Sequence, residues 1–470
     1  MTNLLHPLRR LGFFLVILSS ANVGLAGQGL PDLERGIAAL EAGDLDAAEE
    51  DLLPLARRDY PEAKLRLARL YTRRGTQAAL EEAIHWYRMA LADGQRVYVD
   101  LARALMAVGI ADTEVDRLLQ AGAAEDNADA LHLRLRLYRI HPELDVNGDS
   151  AWLAERATSS KRVDDVTEAL AWYRLHADQP GHAQRVVELC TTWLSSLDDC
   201  YADLTRHHRA AGDRDALAAL VNGAAQRYEK EQLPADTIEA VARTLMSTEL
   251  PGDRNPPTAY RLLKLVENQS PTATTRMARL LLEDPSLDPG RAPRELLDRA
   301  YAQGVPEAAL YLGRLYLDPQ SPQSDPSQAE ALLNEASAAD ASAPAAHFYL
   351  GRLYERGYLG RGDPDRALSH YLLAARGGYA HADLELARLF WSNRGVKVDP
   401  ANAYCFARLA EQGGVPGARA LLDEMDRAIN PRQIDEGRRK ADAESIARHP
   451  PQPEGGAAPT ALTRAEELTP

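Results

Sequence analysis

Small and apolar residues recur at intervals of three and four along most of this chain, most sharply between Ala345 and Val415. Ala346, Tyr349, Leu350 and Leu353 fall at i, i+3, i+4 and i+7, a spacing that gives a helix one apolar face. A Gly-rich turn follows, and Asp363-Pro364 then opens a second helix whose Ala367, Tyr371 and Ala374 share a face. Thirty-six residues further on the unit is written again. Leu386 to Phe390 repeats Leu350 to Tyr354, and Asp399-Pro400 with Ala403, Ala407 and Ala410 repeats the second helix. Leu312 to Tyr316, followed by Asp325-Pro326, Ala329, Leu333 and Ala336, is an earlier copy.

Local chemistry sets the boundaries of each helix. The Asp before each Pro accepts from free amides of the first turn, and Pro at the first helical position lacks only an N–H that would have had no partner. Gly377-Gly378 and Gly413-Gly414 end the second helices. Gly351, matched by Ala387, leaves room for a neighbouring helix. One helix pair cannot bury both of its faces, so the copies must stack, and a period of this length is the mark of a helical solenoid.

The pattern begins early. Leu33 to Tyr60 predicts a helix, a Gly43-Asp44 turn and a second helix, and Ala63 to Gly94 predicts a well-preserved pair. From there to about Ser270 the periods vary. Val97 to Leu105 sets against Val115 to Ala123, then Ala128 to Tyr138 stands alone, and Ala169 to His176 sets against His182 to Leu194. Met277 to Leu282 with Glu295 to Gly304 resumes the regular pattern, and Ala418 to Ala428 and Gln433 to Ala447 predict a closing pair. The resulting division is a signal peptide over 1–27, N-terminal TPR-like repeats, irregular in the middle, over 28–270, regular Sel1-like repeats over 271–415, capping helices over 416–448 and a Pro- and Gly-rich disordered tail over 449–470.

The first residues read as an address. Arg9 and Arg10 precede the apolar run Leu11 to Leu18, which falls short of the ~20 residues a membrane span needs. Small residues follow at Gly24 and Ala26, so a secretory signal peptide cleaved near Ala26 or Gly27 is expected. Its loss removes two arginines from a chain of net charge −15. The acidic balance argues against nucleic acid and anionic membranes as main partners.

Export changes the reading of the three cysteines, Cys190, Cys200 and Cys405. Cys190 and Cys200 flank a short turn and read as a local disulfide joining one helix to the next. Cys405 replaces Ser369 of the preceding copy and reads as a packing residue. Candidate chemistry is sparse. His207-His208 point about 100° apart on a helix and cannot share a metal. Asp145 to Asp149 has its Gly in the wrong place for a calcium loop and reads as a turn. No phosphate-binding loop, serine elbow or zinc-protease motif occurs, so no catalytic residue, metal or cofactor is expected.

Arg314, Arg352 and Arg388 occupy the same place in three successive first helices, and Arg69 does so near the start. They form either a ladder that meets carboxylates of a partner or an acidic polysaccharide, or a set of cations each paired with an acid of its own or the next helix.

The unit resembles the Sel1-like variant of the tetratricopeptide repeat, on Leu-Gly-Arg-Leu-Tyr, the Asp-Pro helix start and the alanines of Ala367 to Ala375. Over about Gly29 to Ala428 the chain resembles the AlgK family, the tetratricopeptide-like scaffolds of bacterial alginate secretion. The stretches that carry this are Gly29 to Asp32, Val187 to Leu204 and His347 to Phe390. The resemblance implies an all-α, right-handed solenoid of about ten TPR/Sel1-like helix pairs and a non-catalytic periplasmic scaffold at the outer membrane. The implied partners are the outer-membrane alginate porin and a periplasmic alginate acetyltransferase-like protein. Direct binding of alginate or of another acidic exopolysaccharide is the alternative. The family ends its signal in a lipid-modified Cys, whereas Gln28 follows Leu25-Ala26-Gly27 here, so attachment through partners in place of a lipid is expected.

Overall fold

A computed structural model describes residues 31–248, 250–320, 324–392 and 395–448. The leader with its Gln28 and the expected disordered tail lie outside the described residues. Among those described there are 24 α-helices, two single-turn 3₁₀ segments and no strand. The fold is all-α and is built from antiparallel helix pairs. Two compact units are distinguishable, one up to Leu137 and the other from Tyr138 onward.

In the first unit, helices Leu33–Ala42 and Leu45–Ala56 form the opening pair. Asp32 and Asp44 cap their N-termini, and Gly43 turns the chain with φ 85. Gly36 is at the crossing, where an added Cβ would come 2.9 Å from Leu52. The next pair, Pro61–Arg74 and Gln77–Ala92, buries Leu67, Leu70, Ala83 and Tyr87. Lys64, 2% exposed, is a buried cation of this unit, with Nζ 2.7 Å from Asp93 and 2.9 Å from Asp59. Such a group is tolerable only because both carboxylates meet it.

In the second unit the regular pairs are Pro306–Tyr316 with Pro326–Ala336, Ala343–Arg356 with Pro364–Arg376, and Ala380–Trp391 with Pro400–Gln412. Asp325, Asp363 and Asp399 each accept from an amide of the first turn, with Pro at the first position. The second helices bury the alanines singled out by the spacing.

The crossings within these pairs match in size. An added Cβ at Gly351 would lie 2.6 Å from the Tyr371 ring, and one at Gly313 would lie 2.7 Å from Leu333. In the third pair Ala387 takes the glycine's place, and the facing position holds Ala407 in the same core cluster. A larger residue on one helix goes with a smaller one on the other, as close packing requires.

The sequence periods blur from about Gly94 to Ser270, and over 141–270 the structure adds helices that the spacing did not separate. They are Asp149–Thr158, Arg214–Glu229, Ala235–Met246 and Pro256–Val266. Irregular connections replace the fixed turn, including the single-turn segment Pro142–Leu144. The Asp145 to Asp149 stretch is a capping turn: the Asp145 carboxylate accepts from the amides of Asp149 at 2.6 Å and Ser150 at 3.1 Å.

The last two helices, Ala418–Ala428 and Pro431–Arg448, close the stack. Pro431–Arg448 packs against Pro400–Gln412. Gly437 permits this, since a Cβ there would sit 2.8 Å from the Ala401 carbonyl. The helix end is pinned by Arg448, whose guanidinium donates to both oxygens of Asp383 at 2.9 Å.

Candidate interaction surface

The helices Pro306–Tyr316 and Ala343–Arg356 each place an arginine immediately after the crossing glycine, on the side turned away from the pair interior. Both guanidiniums lie on aromatic rings. The Arg314 Cζ is 5.7 Å from the Tyr349 ring centre, and the Arg352 Cζ is 5.9 Å from the centres of both Phe348 and Tyr349. Among the described residues neither has a carboxylate within ion-pair distance. The aromatic faces hold the planar cations in place without neutralising them, which leaves their N–H donors for an external acceptor.

These two arginines line one open groove of about 490 Å³ with Tyr349, Arg356, Tyr358 and Gln320, and with one carboxylate, Asp318. Arg356 donates to the Tyr358 hydroxyl at 3.1 Å, which fixes a third cation at the groove. Three guanidiniums and two phenols facing one space make a surface suited to carboxylates.

The sequence ladder does not continue uniformly. Arg388 is exposed, lies outside this groove and donates to Glu385 of its own helix at 2.8 Å. Burial raises the Glu385 pKa, and the Arg388 charge opposes that shift. In the first unit Arg69 lies 3.8 Å from Asp100. The equal spacing of these arginines therefore covers two chemical situations, ring-packed and acid-paired.

A second groove, of about 1560 Å³, is formed in the irregular stretch and has no counterpart in the sequence reading. Its floor includes Val186, Val187, Ala202 and Ala240. Three of its arginines are met from within: Arg139 donates to Glu168 at 3.1 Å, while Arg174 at 2.9 Å and Arg206 at 2.8 Å both donate to Asp203. One side is braced by the bonded pair Cys190 and Cys200, whose Cα atoms are 4.9 Å apart. The Leu250-Pro251 rim is held by Arg209, whose buried guanidinium donates to the carbonyls of Thr244, Ser247, Leu250 and Gly252 at 2.6–3.1 Å. The sequence signal for this brace was the Cys pair alone, because the four carbonyls lie 35 to 43 residues from Arg209.

Cys405, His207 and His208 serve packing. Cys405 is free and buried with Leu409 and Ala441, and burial pushes its thiol up to about 12. The His207 and His208 rings meet edge to face. Among the described residues no group of three metal-ligating side chains is gathered, and no helix is long and apolar enough to cross a membrane.

The profile of the AlgK tetratricopeptide repeat domain matches residues 182–267, the stretch that carries much of the second groove. The Sel1 repeat profile matches 61–95, 306–340 and 344–379, and the last two carry the arginine groove. The alginate biosynthesis protein AlgK of Pseudomonas syringae pv. tomato is 30% identical over 439 residues, which cover 91% of each chain. This chain belongs to the AlgK family. The AlgK protein of Azotobacter vinelandii is 32% identical over 451 residues, 92% of this chain and 95% of that one. That of Pseudomonas aeruginosa is 30% identical over 436 residues, 91% and 90%. Among solved structures, a protective antigen of uropathogenic Escherichia coli with an SLR fold aligns at TM-score 0.42 and 16% identity, covering 93% of this chain and 94% of that one.

Proposed function

We propose that this chain is a non-catalytic scaffold of alginate biosynthesis and export that works in the periplasm and binds partner proteins through its repeat surfaces. AlgK-family membership supports the alginate assignment, since the relatives are named alginate biosynthesis proteins. The observation that carries the binding role is the pair Arg314 and Arg352, laid on aromatic rings in an open groove with no carboxylate in ion-pair contact among the described residues. The partners proposed are the outer-membrane alginate porin and a periplasmic alginate acetyltransferase-like protein, each presenting acidic side chains to this groove.

The test is co-purification of the full chain with each partner, with Arg314→Glu and Arg352→Glu combined in one variant. Charge reversal is expected to abolish capture of at least one partner while the helical circular dichroism is kept. Undiminished capture of both would remove the groove from the proposal. Direct polysaccharide binding is the second reading, favoured by the same carboxylate-seeking chemistry. It predicts retention of polymannuronate by the purified wild-type chain at low salt, lost in the same variant, and absence of retention eliminates it. Attachment is tested by fractionation and intact mass of the mature N-terminus. A lipid-free mass consistent with cleavage near Ala26 or Gly27 is expected, and an acylated mass would overturn a partner-held location.

A further inference from the structure

The repeat that carries Arg352 also brings two histidines together. His347 projects from helix Ala343–Arg356 and His370 from its partner Pro364–Arg376, 23 residues apart in sequence, and their Nδ1 atoms face each other at 3.1 Å. Two nitrogens at that separation share either a single proton or a single cation. For tetrahedral zinc with bonds of about 2.0–2.1 Å, two ligand nitrogens stand about 3.4 Å apart, so the observed gap needs only a few tenths of an ångström of adjustment.

The surroundings favour a ligand role. Both rings are half-buried, so their orientation is constrained while solvent still reaches them. The Tyr354 ring stacks on His370, with centres 5.4 Å apart and planes inclined by 17°. The Tyr354 hydroxyl in turn donates to Glu330 at 2.5 Å, so a carboxylate on the preceding helix fixes the ring that fixes the imidazole. Arg366, with its Cζ 5.2 Å from the Tyr354 ring centre, is a cation that opposes added positive charge at His370, and the Glu330 carboxylate acts against it. Burial lowers both imidazole pKa values, which favours free lone pairs at neutral pH. Among the described residues neither histidine has another hydrogen-bond partner.

We propose that His347 and His370 form a two-imidazole site for a borderline divalent cation of the zinc type, completed by water, which ties the two helices of this repeat together. Imidazole nitrogen is a preferred donor for such cations. On binding, the ring that carries its proton on Nδ1 shifts it to Nε2 through solvent, so each Nδ1 lone pair meets the metal and no net proton is released. A sequence search for metal motifs does not find the site because its ligands come from two helices and the spacing between them is set by the repeat turn. The proposal is independent of which partner the neighbouring groove binds.

The experiment uses the full mature chain without a histidine tag at neutral pH. Zn²⁺ is titrated in competition with a chromophoric chelator, and thermal unfolding is followed with and without zinc. Wild type is expected to take up one zinc with micromolar affinity and to melt higher in its presence. His347→Gln and His370→Gln are each expected to weaken uptake at least tenfold and to lose the zinc-dependent rise in melting midpoint. His381→Gln, on the next helix, keeps both. Melting curves without zinc show whether each variant is folded. Zinc affinity unchanged in the two single variants, loss of uptake in His381→Gln, or a wild-type midpoint that zinc does not move would each overturn the assignment.

Discussion

At the residue scale, the crossings of the regular pairs are set by one position on each helix. Gly351 meets Tyr371, Gly313 meets Leu333, and Ala387 is matched with Ala407. Tyr371 is fully buried and its hydroxyl donates to Glu355 at 2.8 Å, so the ring cannot swing aside. Gly351→Val is expected to destabilise the protein by about 1–3 kcal/mol in urea unfolding, through overpacking against that ring. Combining it with Tyr371→Ala should give a coupling energy of about 1 kcal/mol or more, because the cavity of one substitution receives the methyls of the other. Strict additivity would place the clash elsewhere. Arg209 is the residue-scale anchor of the irregular stretch, with four carbonyls around a buried guanidinium. Arg209→Leu should cost about 2–4 kcal/mol, since those carbonyls lose a charged donor. Limited proteolysis is then expected to cut first between residues 247 and 253.

At the element scale, the closing helix Pro431–Arg448 fully buries only Gly437 and Ala441, and polar contacts add to its hold: Lys440 donates to Asn402 at 3.0 Å and Arg448 clasps Asp383. Arg448 reaches Asp383, which is 2% exposed, and also pairs with Glu444 at 3.1 Å. Burial pushes the Asp383 pKa up to about 6, outweighing the opposing pull of Arg448. An acid whose pKa is raised on folding favours the folded state when protonated. Its contribution is therefore fully present below the unfolded value near 3.8 and is lost as pH rises through about 6. The opening free energy of the closing helix, from hydrogen exchange corrected for the intrinsic rate at each pH, should accordingly be larger at pH 5 than at pH 7.5, and Asp383→Asn should flatten that dependence. An unchanged pH profile in Asp383→Asn would assign it to other groups. Arg448→Met, which leaves the buried carboxyl without its cation, should cost about 3 kcal/mol at neutral pH.

At the scale of the whole molecule, a chain of stacked pairs draws its stability from each pair and its neighbours, so long-range cooperativity is limited. With two compact units meeting in sequence at Leu137 and Tyr138, urea unfolding is expected to depart from a single two-state transition. Native-state hydrogen exchange should give different opening free energies for the helices before and after that point. One common value for both sets would show a single cooperative unit. The arrangement also explains how one chain carries two unlike grooves. The regular repeats present guanidiniums on aromatic rings without an ion-pair contact among the described residues, while the irregular stretch encloses a larger groove whose Arg139, Arg174 and Arg206 are paired with acids.

The sequence by itself determined the all-helical class, the pairing of helices and the capping of the regular repeats. These depend on contacts within a few residues: Asp363 and Pro364 specify a helix start wherever they stand, and the spacing of Ala367, Tyr371 and Ala374 specifies a buried face. It also showed that Arg314, Arg352 and Arg388 hold equivalent positions. Only the tertiary structure decided what those positions mean, because spacing along a helix names a face and leaves open what stands opposite. Tyr349 lies beneath Arg314 and Arg352, whereas Glu385 takes Arg388. The same reason hid the Arg209 anchor, the Asp383 and Arg448 clasp and the His347 and His370 pair. Each joins residues between 23 and 65 positions apart, and their meeting is fixed by how helices stack and not by any local pattern.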